Sequence, residues 1–283
     1  MKQVARDARA KERLTGFVPT MGALHEGHFS LVRAAKAQAA SVVVSIFVNP
    51  KQFGPSEDLQ KYPRTLEADR EALERLGVDY LFAPAAEEMY PAGFRTAVTV
   101  EGLGERLEGR SRPGHFRGVA TVVLKLLEIV QPRFAYFGRK DAQQARIVQQ
   151  MAADLALDTE VVVCPIVREA DGLAMSSRNV YLKGGERRAA TALHRSLEAM
   201  RREVAAGERD GARLVAAMRR VLESEPAPGV AVDYAEIVDA ETLEPVVSVR
   251  GRCLALVAAF VGSTRLIDNA VIEQRGEGFE VTL

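Results

Sequence analysis

The sequence predicts an α/β protein: a doubly wound parallel sheet followed by a smaller carboxyl-terminal α+β domain. Three observations carry that expectation. Residues 41–49 (SVVVSIFVN) are β-branched and nearly all apolar, the composition of a parallel strand covered by helices on both faces. Strand-like and helix-patterned segments alternate from residue 16 to about residue 166, and such alternation builds βαβ units. From Lys183-Gly184-Gly185 onward the texture changes, with Ala-, Arg-, Glu- and Leu-rich helical stretches first and hairpin-like strands after them. We therefore expect one domain over residues 1–183 and a second over residues 184–283.

Composition narrows the class. A chain of 283 residues with 47% hydrophobic content can bury a substantial core. Lys plus Arg equals Asp plus Glu at 38 each, so no global basic field points to nucleic acid or a membrane surface. The two cysteines, Cys164 and Cys253, lie in apolar strand-like runs and read as reduced core residues, which fits a reducing compartment. The first 13 residues are charged and lack the apolar centre of a signal peptide, and no run reaches the length of a membrane span. A soluble, cytoplasmic protein is the expectation.

The first strand, Gly16-Phe17-Val18, runs into Pro19-Thr20-Met21-Gly22-Ala23-Leu24-His25-Glu26-Gly27-His28, and a helix-patterned segment, residues 29–40, leaves it. Glycines there let the backbone turn and approach a ligand, and the two histidines fall where free N–H groups and the helix dipole favour an anion; the alternative is a solvated turn with incidental histidines. The second strand stops at Asn49-Pro50, so Gln52 hangs in a loop beyond a carboxyl strand end, where open α/β sheets place ligands; from position alone it is either a ligand-reading amide or a solvated loop residue. Residues 65–76 form an amphipathic helix with Thr65 as cap and Gly77 as stop, and residues 78–84 the next strand. Residues 96–100 are expected as a short extra strand. Residues 108–118 are a basic, glycine-rich loop with Arg110, Arg112, His115 and Arg117, either solvated or laid over a polyanion.

Val119, Val122, Val123, Leu126, Leu127 and Val130 then share one helical face, a core stripe. Residues 133–138 make a strand that opens into Gly138-Arg139-Lys140-Asp141, followed by Gln143, Gln144 and a helix to about residue 157. Lys140 at a helix start opposes the dipole unless an anion is bound, whereas Asp141 reads as a simple cap. Residues 159–166 are expected as another buried strand. It feeds a loop through Val167 to Met175-Ser176-Ser177-Arg178-Asn179, which concentrates donors suited to phosphate oxygens. Beyond residue 184 come two helical stretches broken at residues 207–211, a turn-rich joint at 225–229, and strands over 232–238, 252–261 and 264–272.

Taken in order, PTMGALHEGH (19–28), SIFVNPKQFG (45–54), YPRTLEAD (62–69), FGRKDAQQ (137–144), VREADGLAMSSRN (167–179) and DYAEIVDAETL (233–243) closely resemble the pantothenate synthetase (pantoate–β-alanine ligase) family. That family belongs to the His-x-Gly-His nucleotidyltransferases. The chain departs from the family in a shorter amino terminus and in Lys51, where methionine is common. The resemblance implies a Rossmann-like catalytic domain with a carboxyl-terminal lid, and an ATP-dependent ligase joining pantoate to β-alanine through a pantoyl adenylate. It implies ATP contacts from Met21, Gly22, Ala23, Leu24, His25, Glu26, Gly27, His28, Gly138, Arg139, Lys140, Asp141, Val167, Met175, Ser176, Ser177 and Arg178. His28, His25 and Lys140 would be catalytic, with His28 the favoured proton donor, and Gln52 and Gln144 would bind pantoate. It further implies Mg2+ carried on the ATP phosphates and a homodimer. Asp69 is a lesser candidate for an outer metal contact; as a residue of a surface helix it reads better as solvated. Two rivals stand beside this reading: a transferase that stops at nucleotide transfer, and a metal- or nucleic-acid-binding module using His25, His28 and His115.

Overall fold

The computed structural model describes every residue of the chain except 12, 55–58 and 227–228. The chain divides into two compact units, Met1–Pro165 and Ile166–Leu283.

In the first unit the elements run α1 (Lys2–Ala10), β1 (Thr15–Thr20), α2 (Glu26–Gln38), β2 (Ser41–Ile46), α3 (Leu66–Arg75), β3 (Tyr80–Phe82), α4 (Ala86–Met89), α5 (Glu108–Ser111), α6 (His115–Val130), β4 (Phe134–Gly138), α7 (Ala142–Asp154) and β5 (Glu160–Cys164). Short 3-10 turns, Pro50–Gln52 and Arg139–Asp141, follow β2 and β4. The strands form one parallel sheet in the order β3-β2-β1-β4-β5. The strand order reverses at β1, with β2 on one side and β4 on the other. The carboxyl ends of β1 and β4 therefore flank the switch point at which such sheets bind ligands. Val18, Val32, Val42, Val44 and Tyr136 lie in the core that fixes this sheet.

Several expectations are corrected here. Residues 159–166 do not form a buried strand: β5 is the sheet edge, and of its residues only Cys164 is buried. A β-branched run is compatible with either place, because composition alone does not show which neighbours cover it. Residues 96–100 form no strand; the Val98 N–H finds its partner in the Thr121 hydroxyl (2.9 Å) instead of a ladder. The glycine-rich stretch 108–118 is largely helical, comprising α5 and the start of α6. Within the charged first 13 residues, for which no element was expected, Lys2–Ala10 form α1.

The second unit holds a 3-10 turn (Ser177–Tyr181), α8 (Gly185–Ala190), α9 (Ala192–Ala205), α10 (Gly211–Glu223) and strands β6 (Ala231–Asp239), β7 (Arg252–Val261), β8 (Thr264–Arg275) and β9 (Gly278–Thr282). The strands form an antiparallel sheet in sequence order. Leu193, Leu197, Met200, Leu214 and Met218 share one core with Ala255, Val257, Ala259 and Ile272. Residues 166–183 cluster with this unit rather than with the first. Leu173 is part of its core, and Arg168 makes a two-pronged ion pair with buried Asp268 on β8 (2.6 and 3.0 Å). The helix break at 207–211 is as expected, with the Asp210 carboxylate capping α10 by accepting from the Arg213 N–H. Of the joint expected at 225–229, residues 227 and 228 lie outside the described residues. Both cysteines are unpaired and buried.

Candidate active site

The turn after β1 is built from positive backbone angles and one buried carboxylate. Gly22 and Ala23 take φ of 84° and 51°, the left-handed region, where glycine is at ease and alanine is not. Asp69, on α3, holds Ala23 there. Its two oxygens accept the backbone N–H groups of Ala23 and Leu24, both at 2.9 Å, and the Thr65 hydroxyl donates to it as well (3.2 Å). Asp69 is only 4% exposed, so the solvated-surface reading is wrong. A helical pattern shows that one face is polar but not what descends onto it. Thr65, expected as a backbone cap, spends its hydroxyl on Asp69 and makes no side-chain cap bond.

The two histidines close the start of α2 on themselves. The helix begins at Glu26, earlier than its apolar pattern suggests, so His25 is the N-cap and His28 the third helical residue. The Gly27 N–H donates to Nδ1 of His25 (3.2 Å), and the His25 N–H donates to Nδ1 of His28 (3.3 Å). Backbone N–H groups can only donate, so both Nδ1 atoms are acceptors and each neutral ring carries its proton on Nε2. The ring centroids are 4.1 Å apart. Burial above all, with the repulsion that a proton on His25 would exert and the Lys140 ammonium, pushes the His28 pKa down to about 3. At neutral pH His28 is therefore an uncharged ring whose Nε2–H is a hydrogen-bond donor.

Beyond β2, Asn49 organises the turn that bears Gln52. Asn49 is buried; its Nδ2 donates to Gln52 Oε1 (3.0 Å) and to the Gly118 carbonyl (3.1 Å). Its Oδ1 accepts from the Lys51 N–H (3.2 Å) and the Tyr90 hydroxyl (2.8 Å). With its oxygen committed to Asn49, Gln52 turns its NH2 group toward Met21, donating to Sδ at 2.9 Å. The backbone carbonyl of Gln52 accepts from His115 Nδ1 (2.8 Å) and from Arg112 (3.4 Å). Arg112 and His115 thus hold the Gln52 turn, a role that the loop's composition did not show.

At the end of β4, a Cβ on Gly138 would meet nothing within 4 Å among the described residues, so the strand end faces open space. Arg139, Lys140 and Asp141 form the 3-10 turn, and Asp141 stands at the N-cap of α7 without a side-chain cap bond. Gln143 is buried and bound to the Glu108 N–H and to the Leu103 and Arg106 carbonyls. Neighbouring Gln144 is half-buried and makes no side-chain hydrogen bond among the described residues. The first unit therefore brings together His25, His28 and Lys140 around one helix start, with Met21 joined to Gln52. The second unit arranges its own candidates. Met175 N–H bonds to the Val167 carbonyl (3.0 Å), and Ser176 caps the turn that carries Ser177 and Arg178 by accepting the Arg178 N–H. Glu169 and Asp171 share Arg187, and Asn179 donates to Glu169 (2.6 Å), which orders that loop.

Asn49, Asp69, Tyr90 and Gly118 are the supporting residues that sequence reasoning missed or misplaced. Only Asn49 carried a signal, its place before a proline at a strand end. Among the described residues no group of three or more His, Cys, Asp or Glu side chains is placed to hold a metal, and no helix is long and apolar enough to cross a membrane.

Residues 1–271 match the family described as Pantoate-beta-alanine ligase. The chain is 62% identical over 269 residues to the pantothenate synthetase of Acidobacterium capsulatum, covering 95% of this chain and 89% of that one. It is 54% identical over 274 residues to that of Pelotomaculum thermopropionicum, covering 97% and 96%. Among solved structures, a pantothenate synthetase from Thermus thermophilus is similar with a TM-score of 0.88 at 49% identity, over 94% of this chain and 96% of that one. A pantoate–β-alanine ligase from Francisella tularensis, complexed with β-γ ATP and β-alanine, is similar with a TM-score of 0.75 at 35% identity, over 95% and 94%.

Proposed function

The chain belongs to the pantoate–β-alanine ligase family and makes pantothenate, and on that premise we propose how its residues divide the work. Family membership also sets aside a transferase that stops at nucleotide transfer. A carboxylate is a poor acyl donor because its leaving group would be oxide. In the proposed sequence a pantoate carboxylate oxygen attacks the α-phosphorus of ATP and pyrophosphate leaves. The β-alanine amine then attacks the acyl carbon, loses a proton, and expels AMP. Phosphoryl transfer of this kind needs positioning and charge neutralisation more than covalent help.

The observation that carries the assignment is the double-histidine cap. It presents Nε2–H donors at a helix start beside the charge of Lys140, and no side-chain nucleophile is required. His28 acts as a proton-bearing hydrogen-bond donor to the phosphates, with His25 beside it and Lys140 neutralising the charge that builds on pyrophosphate. Ser176, Ser177 and Arg178 supply further phosphate donors, and Gly138 to Asp141 with Val167 and Met175 contact the nucleotide. Gln52 and Gln144 read pantoate. Neutral amides suit that task, because a cation on the carboxylate would blunt its attack. Mg2+ arrives as MgATP, held by phosphate and water oxygens. Asp69 serves the turn after β1, its two oxygens accepting the Ala23 and Leu24 N–H groups. A cytoplasmic homodimer completes the proposal.

Isotope exchange tests it. Labelled pyrophosphate is expected to enter ATP when pantoate alone is present. Exchange that strictly requires β-alanine would overturn the separate adenylate.

A further inference from the structure

Tyr90 lies outside every stretch that resembles the family's motifs, yet it reaches the residue that orients Gln52. Asn49 Oδ1 can only accept, so the contact at 2.8 Å makes the Tyr90 phenol the donor. Asn49 is then fixed from both ends. Its oxygen faces two donors, Tyr90 O–H and Lys51 N–H, and its Nδ2 faces two acceptors, Gly118 C=O and Gln52 Oε1. A rotated Asn49 amide would set its oxygen against the Gln52 oxygen and release Gln52 to turn its own carbonyl outward. The Tyr90 ring itself is held by a stack. It meets the Phe94 ring edge-on (centroids 5.1 Å apart), and the ammonium groups of Lys51 and Lys125 lie 5.0 and 5.9 Å from its centroid. Lys51, the departure from the family's usual methionine, thus contributes its backbone N–H to Asn49 and its charge to the ring that holds Asn49.

We infer that Tyr90 is a positioning residue for pantoate recognition: through Asn49 it makes Gln52 present its NH2 group, and so selects an oxygen acceptor on the substrate. This rests on the reading of Gln52 as a pantoate ligand. The relay runs from phenol O–H to Asn49, from Asn49 Nδ2–H to Gln52 Oε1, and leaves the Gln52 NH2 as the reading end.

A double-mutant cycle between Tyr90→Phe and Gln52→Ala tests it, read as KM for pantoate and for ATP in pantoate-dependent pyrophosphate exchange. Tyr90→Phe keeps the ring and its stack and removes only the O–H. It is expected to raise KM for pantoate about 3- to 10-fold, the scale of one neutral hydrogen bond, with KM for ATP unchanged within about twofold. In the Gln52→Ala background the same change is expected to add nothing. An unchanged pantoate KM in Tyr90→Phe, with Gln52→Ala impaired, would remove the positioning role and leave the Gln52 reading intact. Full additivity, or equal weakening of both substrates, would mean that Tyr90 acts only on the fold. An unimpaired Gln52→Ala would remove the Gln52 reading and the relay with it.

Discussion

At the scale of single residues, the site depends on groups whose hydrogen bonds leave them one orientation. The cap fixes His25 and His28 as neutral rings that carry their proton on Nε2. His28→Ala is expected to fold and to lose adenylation by roughly 10²–10³, the scale for removing one transition-state donor. Its buried neutral ring has a consequence for acid stability. In the unfolded chain a histidine titrates near 6.5, whereas the folded ring does so at about 3, so between these values the unfolded chain binds more protons. The contribution is complete above 6.5 and declines as the pH falls toward 3. Urea midpoints at about pH 7 and pH 5 are therefore expected to separate more in the wild type than in His28→Ala; equal separations would refute the depressed pKa. Asp69→Asn keeps size but can accept at one atom only, setting its NH2 against a backbone N–H. A stability loss of about 1–3 kcal/mol is expected, with the turn at Ala23 disturbed.

Among the elements, α6 and the turn after β2 meet closely because Gly118 has no side chain. A Cβ there would lie 2.1 Å from the Lys51 carbonyl oxygen and 2.8 Å from the Gln52 Cα. Gly118→Ala must push the turn away, costing about 1–3 kcal/mol, and is expected to raise KM for pantoate well before KM for ATP. Gly138 gives the opposite case. Its φ of −80° suits any residue and a Cβ meets nothing, so Gly138→Ala is expected to leave Tm unchanged within about 1 °C. Weaker ATP binding in that variant, measured by calorimetry, would come from the ligand; unaltered ATP binding would take Gly138 out of the nucleotide site.

For the molecule as a whole, each compact unit buries one thiol: Cys164 lies in the core of the first, Cys253 in the core of the second. Burial raises both thiol pKa values, so a thiolate reagent reaches them only after opening. Because the histidine cap and Lys140 lie in the first unit, MgATP at about 100 times its Kd can retard labelling of Cys164 by up to about 100-fold. Labelling of a Cys253→Ser variant with and without MgATP checks this. Identical rates would place the nucleotide's stabilisation elsewhere.

Sequence alone determined the alternation that makes a parallel sheet, the glycine-and-histidine turn at its first strand end, and the collinear motifs of the ligase family. These are local: apolar periodicity, turn chemistry and donor-rich strand ends can be read within a short stretch of chain. Tertiary structure decided what depends on distant neighbours. Residues 159–166 and 41–49 look alike, yet the first forms an exposed edge and the second an interior strand, because sheet order is set by pairing across the chain. Asp69 looked like a polar position on a surface helix until a turn 45 residues away brought two N–H groups to it. Gln52 could be named from its loop, but which end of its amide faces outward is set by Asn49, Gly118 and Tyr90, the last two 69 and 41 residues away from Asn49. A hydrogen bond's direction belongs to the pair, and the pair exists only once the chain has folded.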